Sequence, residues 1–345
     1  MTQIENLSPF AATSLPSLGF DDQRLVVVVV AGRFYMPLPG SDAPDEPVLA
    51  HEQRPVPLAD EYWGMPGASS LRCEGQTTHI RPGTDIYVEG LAWAPGGRPT
   101  ECATVSVSVG PCHKVATVFG DRVWRSGVGS PAVSSPLPFT SVPLVYERCF
   151  GGAPGNVTGS AALASERNPV GQGLYLRAKD AIDQPLPNIE DPRQQIGSLA
   201  DHPRPSGFGP ISRHWRPRRD YAGTYDDAWC RMRAPLWPKD VDPRLMNAAA
   251  SGLVANPALK GGEVVRLLGM HPDGAIMFSL PRLALQAKFM MRRGSSRMRM
   301  QLDGIRLEPE DGSFTLYWRA AMAVEPDPFE LEHIVVRQLD AWERG

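Results

Sequence analysis

The sequence lacks most of the marks of membrane, metal and catalytic proteins. No apolar run reaches the about 18 residues that a membrane-spanning helix needs. The run LVVVVVAG at 25–32 is too short for one. The start carries neither the basic segment nor the apolar core of a signal peptide, so the expected address is cytoplasmic. The five cysteines, Cys73, Cys102, Cys112, Cys149 and Cys230, are odd in number and contain no CxxC pair. That pattern argues against a structural zinc site and for buried thiols in a reducing compartment. HExxH, close histidine pairs, GxSxG, the Walker loop and GxGxxG are all missing. Zinc-protease, Ser-His-Asp and phosphate-loop chemistry therefore have no handle. The net charge of -3 gives no global attraction to nucleic acid or an anionic membrane.

What the chain does have is proline and glycine. Its 35 prolines in 345 residues exceed the roughly 5% average, and 33 glycines add to the excess. Many turns and a mainly β or irregular fold follow. The length admits a large core and suggests about two domains. Five consecutive valines favour a buried strand at 25–35. Further strands are expected at 85–93 and at 104–109, where Val105, Val107 and Val109 share a face. A strand over 114–124 is expected to contain a hairpin at Gly120-Asp121. Later strands fall at 264–268 and 275–280 around a turn at 271–274, with 297–302 and 314–319 as a half-buried pair.

Short helices are expected at 160–166 and 192–200. A longer one is expected at 243–258, with Asp242 as N-cap and Pro243 in first position. A terminal helix from Pro328 is suggested by Leu331, Ile334, Val335, Gln338, Leu339 and Trp342 falling near one face, with Asp327 as cap. Residues 1–22 read as a flexible arm. The expected architecture is mainly β. Two β-rich lobes, sandwich- or barrel-like, occupy 23–142 and 259–345, joined by an ordered loop scaffold at 143–258 with few short helices.

The scaffold is the most informative stretch. It reads PLVYERCFGG, RNPVGQG, LPNIEDP, GFGPISRHWRPRR, AGTYDDAW and PLWPKDVDPR, blocks that mix turn formers with aromatics and arginine. Loops pinned in this way tend to carry binding work. The candidate partner-binding residues are Tyr146, Phe150, Asn168, Asn188, Trp215, Arg219, Tyr225, Asp226 and Trp229. No residue is assigned to catalysis, metal or cofactor. Asp226 reads equally as a cap for Trp229, and Asp240 and Asp242 as caps ahead of Pro243. The patch Arg213-His-Trp-Arg-Pro-Arg-Arg219 could stack on nucleic acid, but Asp220, Asp226 and Asp227 offer nearer partners. Cys149 as a nucleophile is an alternative, since it precedes Phe150-Gly151-Gly152, whose amides could stabilise an oxyanion. The acidic loops could serve a hydrolase.

These blocks, in this order, resemble a domain-of-unknown-function family encoded beside VgrG spike and PAAR tip proteins in bacterial type VI secretion loci. The resemblance extends upstream through GPCHKVATVFGDRVW and downstream through GGEVVRLLGMHPDG and LYWRA. It implies a non-catalytic adaptor or chaperone that binds an effector or its PAAR-bearing segment and loads it onto the VgrG spike. A carbohydrate-active or other hydrolase, and a structural part of the secreted spike, are the alternatives. The chain departs from the pattern at Ala250-Ser251-Gly252 and at Arg81-Pro82.

Overall fold

The computed structural model describes residues 3–40, 46–154, 163–324, 330–340 and 343. Its organising element is the valine strand, Arg24–Tyr35. Both faces of this strand are buried. Val27, Val29 and Ala31 pack with Val56 and Tyr317, while Val28, Val30 and Phe34 face the main core. β-branched side chains suit such a doubly covered strand. It pairs antiparallel with Ser313–Ala323 on one side and Ala11–Leu18 on the other.

The largest sheet runs in the order Val254–Ala255, Thr84–Val88, Gln301–Glu308, Ser313–Ala323, Arg24–Tyr35 and Ala11–Leu18, with Val48–Leu49 also on the valine strand. The pair Thr84–Val88 with Gln301–Glu308 is parallel. A second sheet orders Ile189–Glu190, Cys112–Phe119, Cys102–Val109, Val264–Leu268 and Ile276–Ser279. A third orders Gln3–Asn6, Leu331–Gln338, Leu285–Met291 and Ser295–Arg299. One core cluster takes side chains from all three, among them Val107, Phe278, Phe289, Ile305, Phe314 and Ile334. Phe278 and Phe34 stack on Phe314 at 4.9 and 5.4 Å.

The mainly β class is thus observed, and none of the sheets among the described residues closes into a barrel. The arrangement in space differs from two successive lobes. Thr84–Val88 lies in one sheet with Gln301–Glu308, and Cys102–Val109 lies in another with Val264–Leu268. The two β series are interleaved because each supplies edges that the other completes.

Several elements differ from expectation. The arm at 1–22 is ordered where described. Ala11–Leu18 forms an edge strand, a position that tolerates Pro16. It turns at Gly19, whose N–H meets the Gln23 carbonyl at 2.9 Å. The tail is a strand, Leu331–Gln338, and not a helix. Its alternating burial includes Ile334 and Val336, and the β-branched run outweighs the helical spacing. The expected cap Asp327, with Pro328 and Trp342, lies outside the described residues.

The expected helix at 243–258 is only the 3-10 turn Pro243–Met246, capped by Asp242 as anticipated, followed by irregular chain and the strand Val254–Ala255. Residues 192–200 form turns without a helix; of 160–166, residues 160–162 lie outside the described residues and 163–166 carry no α-helix. The hairpin joining Cys102–Val109 to Cys112–Phe119 turns at Gly110, with φ +52°, and not at Gly120. Gly120 is needed for a different reason, because a Cβ there would meet the Leu137 carbonyl oxygen. The run RMRMQL is split between two sheets: Ser295–Arg299 pairs with Leu285–Met291, and Gln301 starts the next strand.

Candidate functional site

Under the scaffold lies a buried network of opposite charges. The Glu74 carboxylate accepts from Arg218 at 2.8 Å, Arg81 at 3.1 Å and Arg213 at 3.2 Å. Arg81 also donates to Gln76 Oε1 at 2.8 Å and to the Met246 carbonyl, and its Nε lies 3.5 Å from Asp85. Asp85 accepts from the Tyr87 hydroxyl, from Asn247 Nδ2 and from the Ala248 amide. Arg218 reaches the carbonyls of Ile211 and Leu245. Arg319 pairs with Asp303 and donates to the carbonyls of Gln76 and Thr78. Apart from Arg213, which is about one-third exposed, these charges are almost wholly enclosed, so each must find partners to offset lost hydration.

The network joins sheet strands to scaffold carbonyls, which fixes the loops against the sheet. Desolvation opposes ionisation of Glu74, but Arg218, Arg81 and Arg213 together hold its carboxyl below the usual range. At Asp85 desolvation prevails over Arg81 and Tyr87, and the carboxyl is pushed up. Sequence reasoning missed this network. Its members are isolated charges in strands and turns, a pattern that usually marks solvent-facing positions.

The sequence-based candidates divide into an internal knot, a second polar knot and a surface turn. Tyr146, Phe150, Asn168 and Trp215 are buried together. Trp215 meets Tyr146 edge-on at 5.6 Å. Asn168 Nδ2 donates to the carbonyls of Tyr146 at 2.8 Å and Phe150 at 3.1 Å. Phe150 stacks on His202. Asn188 is also buried, and it binds Phe119, Asp121, Arg148 and Gln172. These five residues shape the scaffold from within.

Tyr225, Asp226 and Trp229 form a separate unit. Asp226 caps the helix Asp227–Met232 by accepting from the Trp229 amide at 2.8 Å, and Tyr225, 50% exposed, packs edge-on against Trp229. Arg219 is exposed and paired with Glu166. The other acidic loop groups are also engaged. Asp240 accepts from Thr224, Asp242 from Arg244, and Glu190 from Arg122 and the Ile196 amide. No group of three or more His, Cys, Asp or Glu side chains among the described residues is arranged to hold a metal ion. Cys149 is fully buried; desolvation pushes its thiol up to about 12, with Lys114 opposing. The Gly152 amide already donates to the Asn168 carbonyl.

Beside the buried knot the scaffold leaves a cleft of about 590 Å³. Tyr146 and Ile211 form part of its wall, and Ala249, Ala250, Ser251 and Gly252 another part. The cations Lys114, Arg167, Arg204, Arg216, Arg218 and Arg244 line it, against one lining carboxylate, Asp220. The Ala250-Ser251-Gly252 step flagged in the sequence is therefore at the cleft. Lys114, Arg167 and Arg204 were not among the sequence-based candidates, although Arg167 opens the block RNPVGQG and Lys114 lies in GPCHKVATVFGDRVW, because charges so far apart in the chain do not show that they meet.

A mainly β molecule with several sheets, a basic cleft and a buried ionic network is the class that these observations define. The chain belongs to the DUF2169 family, described as an uncharacterized protein conserved in bacteria, whose model matches residues 21–319. No curated protein and no solved structure matches the chain.

Proposed function

We propose that the chain is a non-catalytic adaptor or chaperone that holds a partner protein on its loop scaffold. The cleft at Tyr146 and Ile211 carries this reading, because buried ionic contacts fix its walls before any partner arrives. Preorganised loops bind without losing their own conformational freedom. The resemblance of the scaffold blocks to the secretion-associated family supplies the identity of the partner. It is a type VI secretion effector or its PAAR-bearing segment, received in the cytoplasm and delivered to the VgrG spike. No helix among the described residues is long and apolar enough to cross a membrane.

The test is co-purification of the tagged chain from its native cells while the secretion genes are expressed, with mass spectrometry of what accompanies it. A stoichiometric effector or PAAR-bearing partner is the expected result. A chain recovered alone would overturn the reading, and recovery of the intact chain from the secreted fraction would favour a structural spike component.

A further inference from the structure

We infer that the scaffold cleft recognises an acidic segment of its partner, an extended peptide whose Asp or Glu carboxylates enter between Lys114, Arg167 and Arg204. The inference rests on the partner-holding reading above and adds the chemistry of what is held. Its basis is an accounting of charge around the cleft. Arg216 is met by Glu166 at 3.1 Å and Asp220 at 3.0 Å, Arg244 by Asp242, and Arg218 by Glu74. Among the described residues, Lys114, Arg167 and Arg204 have no carboxylate within ion-pair distance.

The nearest acids do not change this. Glu166 acts on Arg167 only at longer range, and it already serves both Arg216 and Arg219. Asp191 influences Lys114 without pairing with it. Lys114 is partly buried, with its Nζ 3.5 Å from the Ser251 carbonyl and 5.8 Å from the Phe208 ring centre. Burial pushes its ammonium down from its ordinary value, the condition of a cation short of counter-charge. A carboxylate entering here would meet charge-assisted donors in a partly desolvated site.

Single-stranded nucleic acid fits less well. Base recognition of that kind needs open aromatic faces. Tyr146 is buried edge-on to Trp215, and the guanidinium of Arg244 covers the Tyr221 ring at 4.3 Å.

The experiment is fluorescence anisotropy on the purified full chain with three labelled probes: a glutamate-rich peptide, its glutamine counterpart and an oligothymidylate. The glutamate peptide is expected to bind, more weakly as salt rises, and the glutamine peptide to bind at least about ten-fold more weakly. The double variant Arg167→Gln/Arg204→Gln alters two exposed side chains and leaves the buried network in place. It should lose roughly ten-fold or more of the glutamate-peptide affinity, with an unchanged thermal transition as the check on folding. Equal binding of the two peptides, indifference to the double variant or preference for oligothymidylate would each overturn the inference. A double variant that still co-purifies the full partner stoichiometrically would sink the inference while leaving the adaptor reading standing.

Discussion

At the scale of single residues, the scaffold's aromatic and amide side chains work inward. Trp215 is 7% exposed and its ring abuts Tyr146, so Trp215→Ala leaves a cavity at the centre of the knot. The expected cost is about 3–5 kcal/mol of stability, read as a lower urea midpoint. Tyr225→Ala removes a half-exposed ring and should cost less than about 1 kcal/mol of stability, with a correspondingly small change in the urea midpoint. A Trp215→Ala chain with wild-type stability would show that the knot does not hold the loops. Glu74→Gln unbalances three guanidiniums at once and should cost about 3–5 kcal/mol.

The pH dependence of that effect has a definite sign. Glu74 is held below its ordinary 4.5 in the folded chain. Its stabilising contribution is therefore complete above that value and is lost as pH falls through the lower folded value. Asp85 works the other way. Desolvation raises it above 3.8, so its contribution is complete at low pH and is lost as pH rises through its folded value. Comparing wild type with Glu74→Gln isolates the first group: the gap between their unfolding free energies should narrow on acidification below the ordinary 4.5. A gap independent of pH would rule out the ionised Glu74 as the hub.

At the scale of elements, what was legible followed the backbone pattern. The valine strand, the alternation at Val105, Val107 and Val109, and the Asp242-Pro243 start appear where the residues place them, because β-branched runs and caps act locally. The tail was ambiguous because Leu331, Ile334, Val335, Gln338 and Leu339 satisfy helical spacing as well. Only pairing with Leu285–Met291 and Gln3–Asn6 decides for a strand. The arm was misread because its small residues carry little apolar signal, whereas its order comes from pairing with the valine strand, Ser14 opposite Val28 within the ladder that runs from Ala11–Ala31 to Leu18–Arg24. The buried charges of the site were illegible for the same reason: partners such as Arg81 and Met246 meet only after the chain has folded. The arm's role makes a prediction. Removing residues 1–18 strips the partner from one edge of a long valine strand, and exposed apolar edges recruit other chains. The truncated protein should scatter light and aggregate on gentle heating while the full chain stays clear. An unchanged unfolding midpoint and a monodisperse truncated chain would show that the edge is protected by something else.

At the scale of the whole molecule, interleaving governs how the protein can unfold. Thr84–Val88 has two hydrogen-bonded neighbours, Gln301–Glu308 and Val254–Ala255, both supplied by later parts of the chain. Cys102–Val109 likewise leans on Val264–Leu268. A fragment of residues 1–142 therefore keeps the valine strand but loses Ser313–Ala323 beside it, and most of the shared core with it. Such a fragment should show collapsed, poorly dispersed amide resonances when expressed alone. Co-expression with residues 143–345 should restore a dispersed spectrum, because the missing strands then return from the other piece. The full chain should unfold in one cooperative transition, since no sheet can melt without opening a core that the others share. A fragment 1–142 that folds by itself would instead mean that the N-terminal series is an independent lobe. In that case the scaffold would be a linker between two bodies, and its cleft could not be a preformed surface of the kind the adaptor reading requires.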